Sequence, residues 1–288
     1  MEVVSEAEIE GDRGAPRRRL EHVLSSCGSL LVAYSGGVDS VFLAYEAVRV
    51  LGPGRVLAVT GVGPSVAGRQ HAVARRVARE FGIPWRELST HEMEDPDYVA
   101  NRSDRCYHCK SELYGRLARL APIWGYASVA DGANADDASD YRPGAAAARE
   151  LGVLSPLQEA GLGKDDIRAL SRAAGLPTWD APASPCLASR LSYGVEVTTG
   201  RLGQVEEGER VLREAGEEGD LRVRHHGGAA RIEVDPRRLG AWASAERCRR
   251  IERRLKEIGF ERVLLDLEGY RRGSLNRAVG AETGVAAP

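Results

Sequence analysis

Six consecutive residues, Ser35-Gly36-Gly37-Val38-Asp39-Ser40, have the composition of a loop that binds phosphate. The adjacent glycines let the backbone approach a ligand closely, so that successive N–H groups can point into one anion-binding concavity. The two serines add hydroxyl donors, whereas the carboxylate of Asp39 suits a cation or a helix cap. No lysine follows the second glycine, as GxxxxGK[ST] requires, and the glycine spacing is not that of GxGxxG either.

Three of the five cysteines have spacing or surroundings suited to metal or sulfur chemistry. Cys106 and Cys109 form a Cys-x-x-Cys pair, and Cys186 lies in a segment, 182–190, that two prolines stiffen. Cys-x-x-Cys occurs in redox pairs, zinc sites and iron–sulfur sites. Three cysteine ligands suit a cubane cluster with one open iron, but His108 can complete a zinc site instead. The spacing therefore leaves the metal undecided.

Two groups of charged residues are further candidates for binding. The polar run 131–137, Asp-Gly-Ala-Asn-Ala-Asp-Asp, follows a short apolar segment and suits a nucleotide or Mg²⁺ contact, although a solvated turn has the same composition. Nearer the C-terminus lies a basic cluster, and arginine binds phosphates and carboxylates in bidentate geometry. The cluster and the acidic residues that can orient it or bind Mg²⁺ are Arg222, Arg224, His225, Arg231, Glu206, Glu209 and Glu233. The alternative interpretation is a charged, solvated surface.

Alternating strands and helices are predicted to position these residues. Short apolar runs predict strands at 30–34, 55–60, 85–88 and 128–130. Helical periodicity predicts helices at 20–26, 41–48, 65–81 with Ser65 as cap, 111–120 and 164–175. This order implies an α/β fold with a doubly wound parallel sheet. Ligands of such sheets bind beyond the carboxyl ends of the strands, where residues 35–40 and 131–137 lie.

The pattern changes from about Thr198 onward. A helix at 201–214, strands at 221–226 and 230–234, a charged helix at 239–258 and a strand at 262–266 are expected. This β-β-α-β block predicts a second, smaller α+β domain, so the expected domains are 1–195 and 196–288. Residues before about 19 are expected to be a frayed lead-in, and those from Asn276 a loose tail.

Composition excludes several classes of protein. The 288 residues are 43% hydrophobic, and 40 basic against 42 acidic residues give a net charge of −2, which argues against a general nucleic-acid binder. No apolar run approaches the length of a membrane span, and the N-terminus lacks a secretory signal, so a cytoplasmic protein is expected. Five cysteines in such a chain argue against a disulfide framework. Cys27 and Cys248 are interpreted as a buried packing residue and a bystander in a charged helix.

The loop Ser35–Ser40 resembles the pyrophosphate (PP) loop of the N-type ATP pyrophosphatases, which split ATP into AMP and pyrophosphate, usually to adenylate a carboxylate or an amide oxygen. From about Leu20 to Tyr270 the chain resembles, more specifically, the LarE-type ATP-dependent sulfur transferases of that superfamily. The resemblance rests on six segments: 35–40, 105–110, 131–137, 140–144, 185–190 and 222–226. The PP loop alone would indicate only the superfamily.

The resemblance implies a role in making the nickel-pincer nucleotide cofactor of lactate racemase-like enzymes. ATP would adenylate a carboxylate of pyridinium-3,5-biscarboxylic acid mononucleotide, and sulfur would then replace AMP to give a thiocarboxylate. The family has two sulfur sources. One is a sacrificed cysteine, matching Cys186, which is left as dehydroalanine. The other is a [4Fe-4S] cluster with an extra sulfide, held by three cysteines that match Cys106, Cys109 and Cys186. The presence of Cys106 and Cys109 favours the cluster.

The resemblance and the chemistry together give a set of expected site residues. The catalytic residues are Asp39 and Cys186. The nucleotide-binding residues are Ser35, Gly36, Gly37, Val38, Asp39, Ser40, Gly132 and Arg190. The substrate-binding residues are Arg222, Arg224 and Glu209. The expected cofactors are ATP, Mg²⁺ and a [4Fe-4S] cluster, and the smaller domain is expected to bind substrate and to support a homo-oligomer, by resemblance a hexameric ring.

Three other functions are compatible with parts of the pattern. A tRNA-thiolating PP-loop enzyme would share ATP and the cysteines, but would need a broad basic surface that a net charge of −2 does not favour. A glutamine- or ammonia-dependent adenylating synthetase would not need the cysteines. A zinc-stabilised binding module would use them as closed structural ligands, but it leaves residues 35–40 unexplained.

Overall fold

The structure is a computed structural model that describes residues 6–139, 143–182 and 185–271. The helices are α1 (Glu6–Ser26), α2 (Val38–Leu51), α3 (Gly68–Glu80), α4 (Pro96–Val99), α5 (Arg105–Ile123), α6 (Pro143–Glu150), α7 (Pro156–Glu159), α8 (Lys164–Ala173), α9 (Thr199–Glu214), α10 (Leu239–Trp242) and α11 (Ala245–Glu257). The strands are β1 (Leu30–Ala33), β2 (Val56–Val62), β3 (Trp85–Ser89), β4 (Ser128–Ala130), β5 (Leu221–His226), β6 (Ala229–Val234) and β7 (Arg262–Leu265). The expectations for 140–142, Ser184 and the tail from Asn276 lie outside the described residues.

The chain forms two compact units, which are described separately. Of the described residues, the first unit contains 6–92, 104–139 and 143–182, and the second contains 93–103 and 185–271. The domain boundary between residues 195 and 196 stays a prediction.

The sheet of the first unit is parallel throughout, with the order β3-β2-β1-β4. All four residues of β1 are buried, because helices cover both faces of the sheet. Leu30 and Val32 pack into one core with side chains of α1, α2, α3 and α8, whereas Leu31 and Ala33 pack into a second core with α5 and α6. The predicted α/β fold with a doubly wound parallel sheet is confirmed.

The strand order defines where a ligand can enter this sheet. From β1 the chain proceeds to β2 and β3 on one side, and then returns to place β4 on the other side of β1. The connections after β1 and β4 therefore leave in opposite directions and open a crevice between them, at the topological switch point. Residues 35–40 follow β1, and residues 131–137 follow β4.

The second unit contains a three-stranded mixed sheet of order β5-β6-β7. β5 pairs antiparallel with β6, and β6 pairs parallel with β7, as expected for the predicted β-β-α-β block. Side chains alternate between the two faces of a strand, so Leu221 and Val223 enter the core with α9 and α11. The same alternation places Arg222 and Arg224 on the opposite face.

A short segment from the middle of the chain, 93–103, completes the second unit. Its Asn101 adopts a left-handed φ of 54°, and its side-chain amide donates to the carbonyls of Ser192 (2.8 Å) and Val195 (2.7 Å). The backbone N–H of Val197 also donates to the carbonyl of Val99 at 2.9 Å. These hydrogen bonds attach residues 93–103 to the segment that follows the Cys186 turn.

Several predicted element boundaries are wrong. α1 begins at Glu6, within the supposed lead-in. Ser65 does not cap α3, because its hydroxyl donates to Glu92 and the helix begins at Gly68. The predicted helix 239–258 is two helices, since Ser244 has an extended backbone and caps α11. No helix among the described residues is both long and apolar enough to cross a membrane.

Candidate functional site

The loop of residues 35–40 is held in shape by its own serines. The Ser40 hydroxyl accepts from the Ser35 backbone N–H at 3.1 Å, lies 3.0 Å from the Ser35 hydroxyl, and donates to the Gly37 carbonyl at 3.1 Å. The Gly37 N–H donates to the Ser35 hydroxyl at 3.3 Å. α2 begins directly after this loop at Val38, so the positive end of the helix dipole lies beside it. The arrangement is suited to an anion.

Gly36 is required at its position for two reasons. Its φ is +75°, in the left-handed region that glycine alone adopts readily. A Cβ atom there would lie 2.7 Å from Cβ and 2.8 Å from Cα of Ala74 in α3. The loop therefore packs directly on α3, and Gln70 of the same helix donates to the Ser35 carbonyl at 2.9 Å.

The carboxylate of Asp39 forms an ion pair with a lysine. Lys164 Nζ, at the start of α8, lies 2.5 Å from Asp39 Oδ2. The side-chain amide of Asn134 donates to Asp39 Oδ1 at 3.5 Å. Of the two roles that the sequence left open for Asp39, helix capping is not observed, since Gly37 is the N-cap residue. Its carboxylate is available to neutralise a positive charge.

The loop after β4 lies against the start of α2. A Cβ atom on Gly132 would lie 2.9 Å from the Ser40 nitrogen, so the backbone of this loop directly contacts the backbone of the loop of residues 35–40. The Asp131 carboxylate accepts from the hydroxyls of Tyr114 at 2.8 Å and Ser155 at 2.9 Å. Burial raises the pKa of Tyr114 to about 12, so the phenol keeps the proton that it donates. Asp131 thus fixes the loop, while Gly132 leaves room for the contact with α2.

Cys106 and Cys109 lie in the first two turns of α5, in the first unit. The sequence placed the pair ahead of a helix beginning near Ser111, but α5 begins at Arg105. Residues three apart share a helix face, so the two side chains project from the same side. Cys106 is exposed and Cys109 is half-buried, and both are thiols rather than disulfide partners. Lys110, the next residue, places its ammonium 5.0 Å from the ring centre of Tyr114.

Cys186, in the second unit, is a half-buried thiol at the start of a tight turn. Its carbonyl accepts from the Ser189 N–H at 3.0 Å and from the Ser189 hydroxyl at 2.7 Å. Arg190 Nη1 also donates to this carbonyl at 3.0 Å, and to the carbonyl of Pro185. The backbone on both sides of the cysteine is therefore bound to one guanidinium group.

That guanidinium is itself held by Glu209 of α9. Arg190 Nε donates to Glu209 Oε1 at 2.9 Å and Nη2 to Oε2 at 3.4 Å, a bidentate pair, and Arg190 is only 3% exposed. All three nitrogens of Arg190 are thus engaged within the second unit. Binding of a nucleotide by Arg190, or of substrate by Glu209, requires exchange of one of these bonds, and both roles stay predictions.

Arg224 and Arg222 lie on the same polar face of the second sheet. Arg224 Nη1 donates to the Ser189 carbonyl at 2.8 Å, and its Nε donates to the fully buried Glu233 at 3.1 Å. Arg222 lies over the Tyr270 ring, 4.8 Å from its centre. Burial, together with the neighbouring Arg190, lowers the pKa of Arg222 from its ordinary value. Arg224 therefore forms a buried ion pair with Glu233, whereas His225 of the predicted cluster lies on the core side of the strand, against Phe260. The substrate-binding role of Arg222 and Arg224 stays a prediction.

Sequence reasoning missed Lys164 and the turn-holding contacts of Arg190. Lys164 is 125 residues from Asp39, and nothing in its local sequence links it to the loop. The sequence contained only an indirect indication that Lys164 lies near the site. Lys164 begins a short helix after a glycine, in the part of the chain that follows β4.

Three curated proteins are similar to nearly the whole chain. An uncharacterised protein of Synechocystis sp. is 43% identical over 264 residues, which cover 91% of this chain and 98% of the relative. Pyridinium-3,5-bisthiocarboxylic acid mononucleotide synthase of Lactiplantibacillus plantarum is 37% identical over 245 residues, 85% of this chain and 88% of the relative. The chain belongs to the LarE-type sulfur transferase family.

The third similar protein is more distant in sequence. An uncharacterised protein of Methanocaldococcus jannaschii is 27% identical over 242 residues, which cover 84% of this chain and 90% of the relative. No protein-family model matches the chain. The resemblance to LarE-type proteins that the motifs indicated is confirmed, and the chain is an enzyme of the sulfurtransferase class. The individual ligand assignments, the hexameric ring and the cytoplasmic location stay predictions.

Proposed function

We propose that this LarE-type enzyme uses ATP to convert a carboxylate of pyridinium-3,5-biscarboxylic acid mononucleotide into a thiocarboxylate, for synthesis of the nickel-pincer nucleotide. The observation that carries the proposal is the loop of residues 35–40 at the switch point of a parallel sheet. It occurs in a chain 37% identical to a synthase named for the corresponding bisthiocarboxylic acid mononucleotide.

The first step is adenylation. A carboxylate oxygen of the substrate attacks the α-phosphorus of ATP, the bond to the β-phosphate breaks, and pyrophosphate leaves. The hydroxyls of Ser35 and Ser40, with the start of α2, bind phosphate oxygens as negative charge moves to the leaving group. Asp39 would hold Mg²⁺, which would neutralise part of the triphosphate charge. The fit is supported by an oxygen donor of the type that Mg²⁺ prefers, already in contact with a cation, Lys164.

The second step is sulfur transfer. A sulfur nucleophile attacks the acyl carbon of the adenylate, and AMP leaves. If Cys186 supplies its own sulfur, a thioester forms. Removal of the Cys186 Cα proton then breaks its Cβ–Sγ bond, which releases the thiocarboxylate and leaves dehydroalanine. The prolines and the guanidinium of Arg190 hold the backbone of Cys186 in place during attack.

We favour the alternative in which Cys186 is spared. Cys106, Cys109 and Cys186 would then hold a [4Fe-4S] cluster, and an extra sulfide carried by the cluster would be the sulfur source. The donor chemistry fits, since all three are thiols and two project from one face of α5. The sacrificial alternative gives Cys106 and Cys109 no role.

The polar face of the second unit is suited to an anionic substrate. It carries Arg222 and Arg224, which are both buried and whose guanidinium groups suit anions. The substrate has a phosphate and two carboxylates, and arginine contacts such groups in bidentate geometry.

The test combines metal analysis with product analysis. Protein purified without oxygen is analysed for iron and acid-labile sulfide, and is then incubated with Mg²⁺, ATP, the substrate and sodium sulfide. We expect about four irons per chain, one AMP for each thiocarboxylate formed, and an unchanged intact mass. Absence of AMP would overturn the ATP-dependent step.

A protein without iron that loses the mass of one hydrogen sulfide per turnover would establish the sacrificial route instead. Cys106→Ser provides the matched test of the cluster and should lose iron and thiocarboxylate formation. Cys248→Ser is the control, because Cys248 lies on α11 and should not affect either quantity.

A further inference from the structure

The charge of Asp39 is compensated by a residue that the proposed mechanism does not yet use. Lys164 Nζ lies 2.5 Å from Asp39 Oδ2, and the two side chains remain 29% and 24% exposed. Because both side chains remain partly in contact with solvent, each can exchange the other for a different partner at a low cost in free energy. The ammonium group occupies the position at which a bound cation would contact this carboxylate.

The backbone of Lys164 is fixed by hydrogen bonds, whereas its side chain is held, among the described residues, only through the partly exposed pair with Asp39. Its N–H donates to Asp136 Oδ2 at 2.7 Å. The start of α8 is closed by Asp166, whose carboxylate accepts from the Gly163 N–H at 3.2 Å. The Cα of Lys164 is therefore fixed beside the loop, while four methylene groups allow the ammonium to move by several ångströms.

The loop of residues 35–40 contains no positively charged side chain. Residues 35–40 provide hydroxyls, backbone N–H groups and one carboxylate. Binding of a triphosphate next to Asp39 places several negative charges together, and Mg²⁺ offsets only part of that charge. An ammonium on a flexible stem is a common phosphate ligand, and Lys164 is anchored within reach of Asp39.

We propose that Lys164 is a phosphate-binding residue of this site, which exchanges the Asp39 carboxylate for the β- and γ-phosphates of ATP. In the ligand-free protein Lys164 neutralises Asp39. When Mg²⁺ and ATP bind, Asp39 contacts the metal and Lys164 contacts the part of the nucleotide that leaves as pyrophosphate. This inference rests on the proposed function and adds a residue to it.

The experiment compares two ligands that differ only beyond the α-phosphate. Binding of α,β-methylene-ATP with Mg²⁺, and separately of AMP, is measured by calorimetry on wild-type protein, Lys164→Met and Lys256→Met. Lys256 is the control because it also pairs with a carboxylate, Glu252 at 2.8 Å, on exposed α11. We expect Lys164→Met to weaken the triphosphate analogue by about tenfold or more and AMP by less than about twofold. Lys256→Met should change neither.

Two outcomes would overturn the inference. Unchanged binding of the analogue by Lys164→Met would show that Lys164 does not contact phosphate. Equal weakening of both ligands would show that the lysine only maintains the loop. The binding measurement requires no turnover. A failure of wild-type protein to form AMP would therefore reject the proposed adenylation, while the role of Lys164 in phosphate binding would still be decided by calorimetry. Thermal unfolding of each variant confirms that the fold is retained.

Discussion

Arg190 is the residue that connects Cys186 to the core of its unit. Its guanidinium binds the carbonyls of Pro185 and Cys186 and, through a bidentate pair, Glu209 of α9. A lysine has a single ammonium group and cannot make these contacts at once. The structure therefore gives Arg190 a positioning role whether or not it also contacts a nucleotide.

Arg190→Lys should loosen the turn that carries Cys186. The substitution keeps the charge but loses part of the hydrogen-bonding fork, so we expect a loss of about 1–3 kcal/mol in the stability of the second unit. Amide hydrogen exchange should accelerate at Ser189, whose N–H donates to the Cys186 carbonyl. We also expect thiocarboxylate formation to fall more than AMP formation.

Arg210→Lys serves as the control, because Arg210 lies on the same helix, α9, but forms exposed pairs with Glu207 and Glu214. This change should have no measurable effect, since exposed ion pairs contribute little. If the Ser189 amide exchanges hydrogen at the same rate in the two variants, Arg190 does not hold the turn.

The sequence was informative about residue types and uninformative about distant partners. Adjacent glycines and serines predicted the loop at 35–40, because such a loop is a local feature of the chain. The pairing of Asp39 with Lys164 depends on the packing of α8 beside α2, and no local pattern encodes it. The arginine cluster was predicted to bind substrate, with a charged, solvated surface as the alternative, and that alternative is wrong for Arg224, which is buried against Glu233.

At the scale of elements, the site depends on how the loop after β4 meets α2. Gly132 lies where any side chain would approach the Ser40 nitrogen at 2.9 Å, and that atom belongs to the backbone of the helix. The loop after β4 cannot move away easily, because the Asp131 carboxylate accepts hydrogen bonds from Tyr114 and Ser155. The crevice at the switch point has its present width because position 132 carries no side chain.

Gly132→Ala should therefore displace the loop from α2. We expect a loss of about 1–3 kcal/mol in stability, as for other overpacked contacts, and a decrease of about tenfold or more in kcat/KM for ATP. The measurements are thermal unfolding and AMP formation at varied ATP. Gly54→Ala is the matched control, since a Cβ there meets no atom within 4 Å. Wild-type kinetics for Gly132→Ala would contradict the assigned contact.

The elements themselves were largely predictable, because strands buried on both faces appear as short apolar runs. β1 and β4 occur almost where the sequence placed them. The errors arose where tertiary partners decide the boundary. The Ser65 hydroxyl has Glu92 as partner, so it does not cap α3, and Ser244 interrupts a run that is otherwise helical.

At the scale of the whole molecule, each unit has its own core, and the second unit contains a histidine that makes its stability depend on pH. The core of the second unit contains His225, which is 3% exposed and lies against the Phe260 ring. Its Nε2 lies 3.0 Å from Gln204 Oε1, whereas its buried Nδ1 has no partner among the described residues. Burial lowers the pKa of His225 to about 4, and the nearby Arg201 and His226 act in the same direction.

The stability of the second unit should fall between about pH 6.5 and pH 4. The unfolded chain, with an ordinary histidine pKa of about 6.5, gains a proton in this range that buried His225 does not accept. The loss is up to about 3 kcal/mol, and it is absent above pH 6.5. Amide hydrogen exchange of β5 and β6 measures it. His225→Gln should flatten the pH dependence, whereas His22→Gln, at an exposed position, should not. Equal slopes for both variants would assign the effect to other groups.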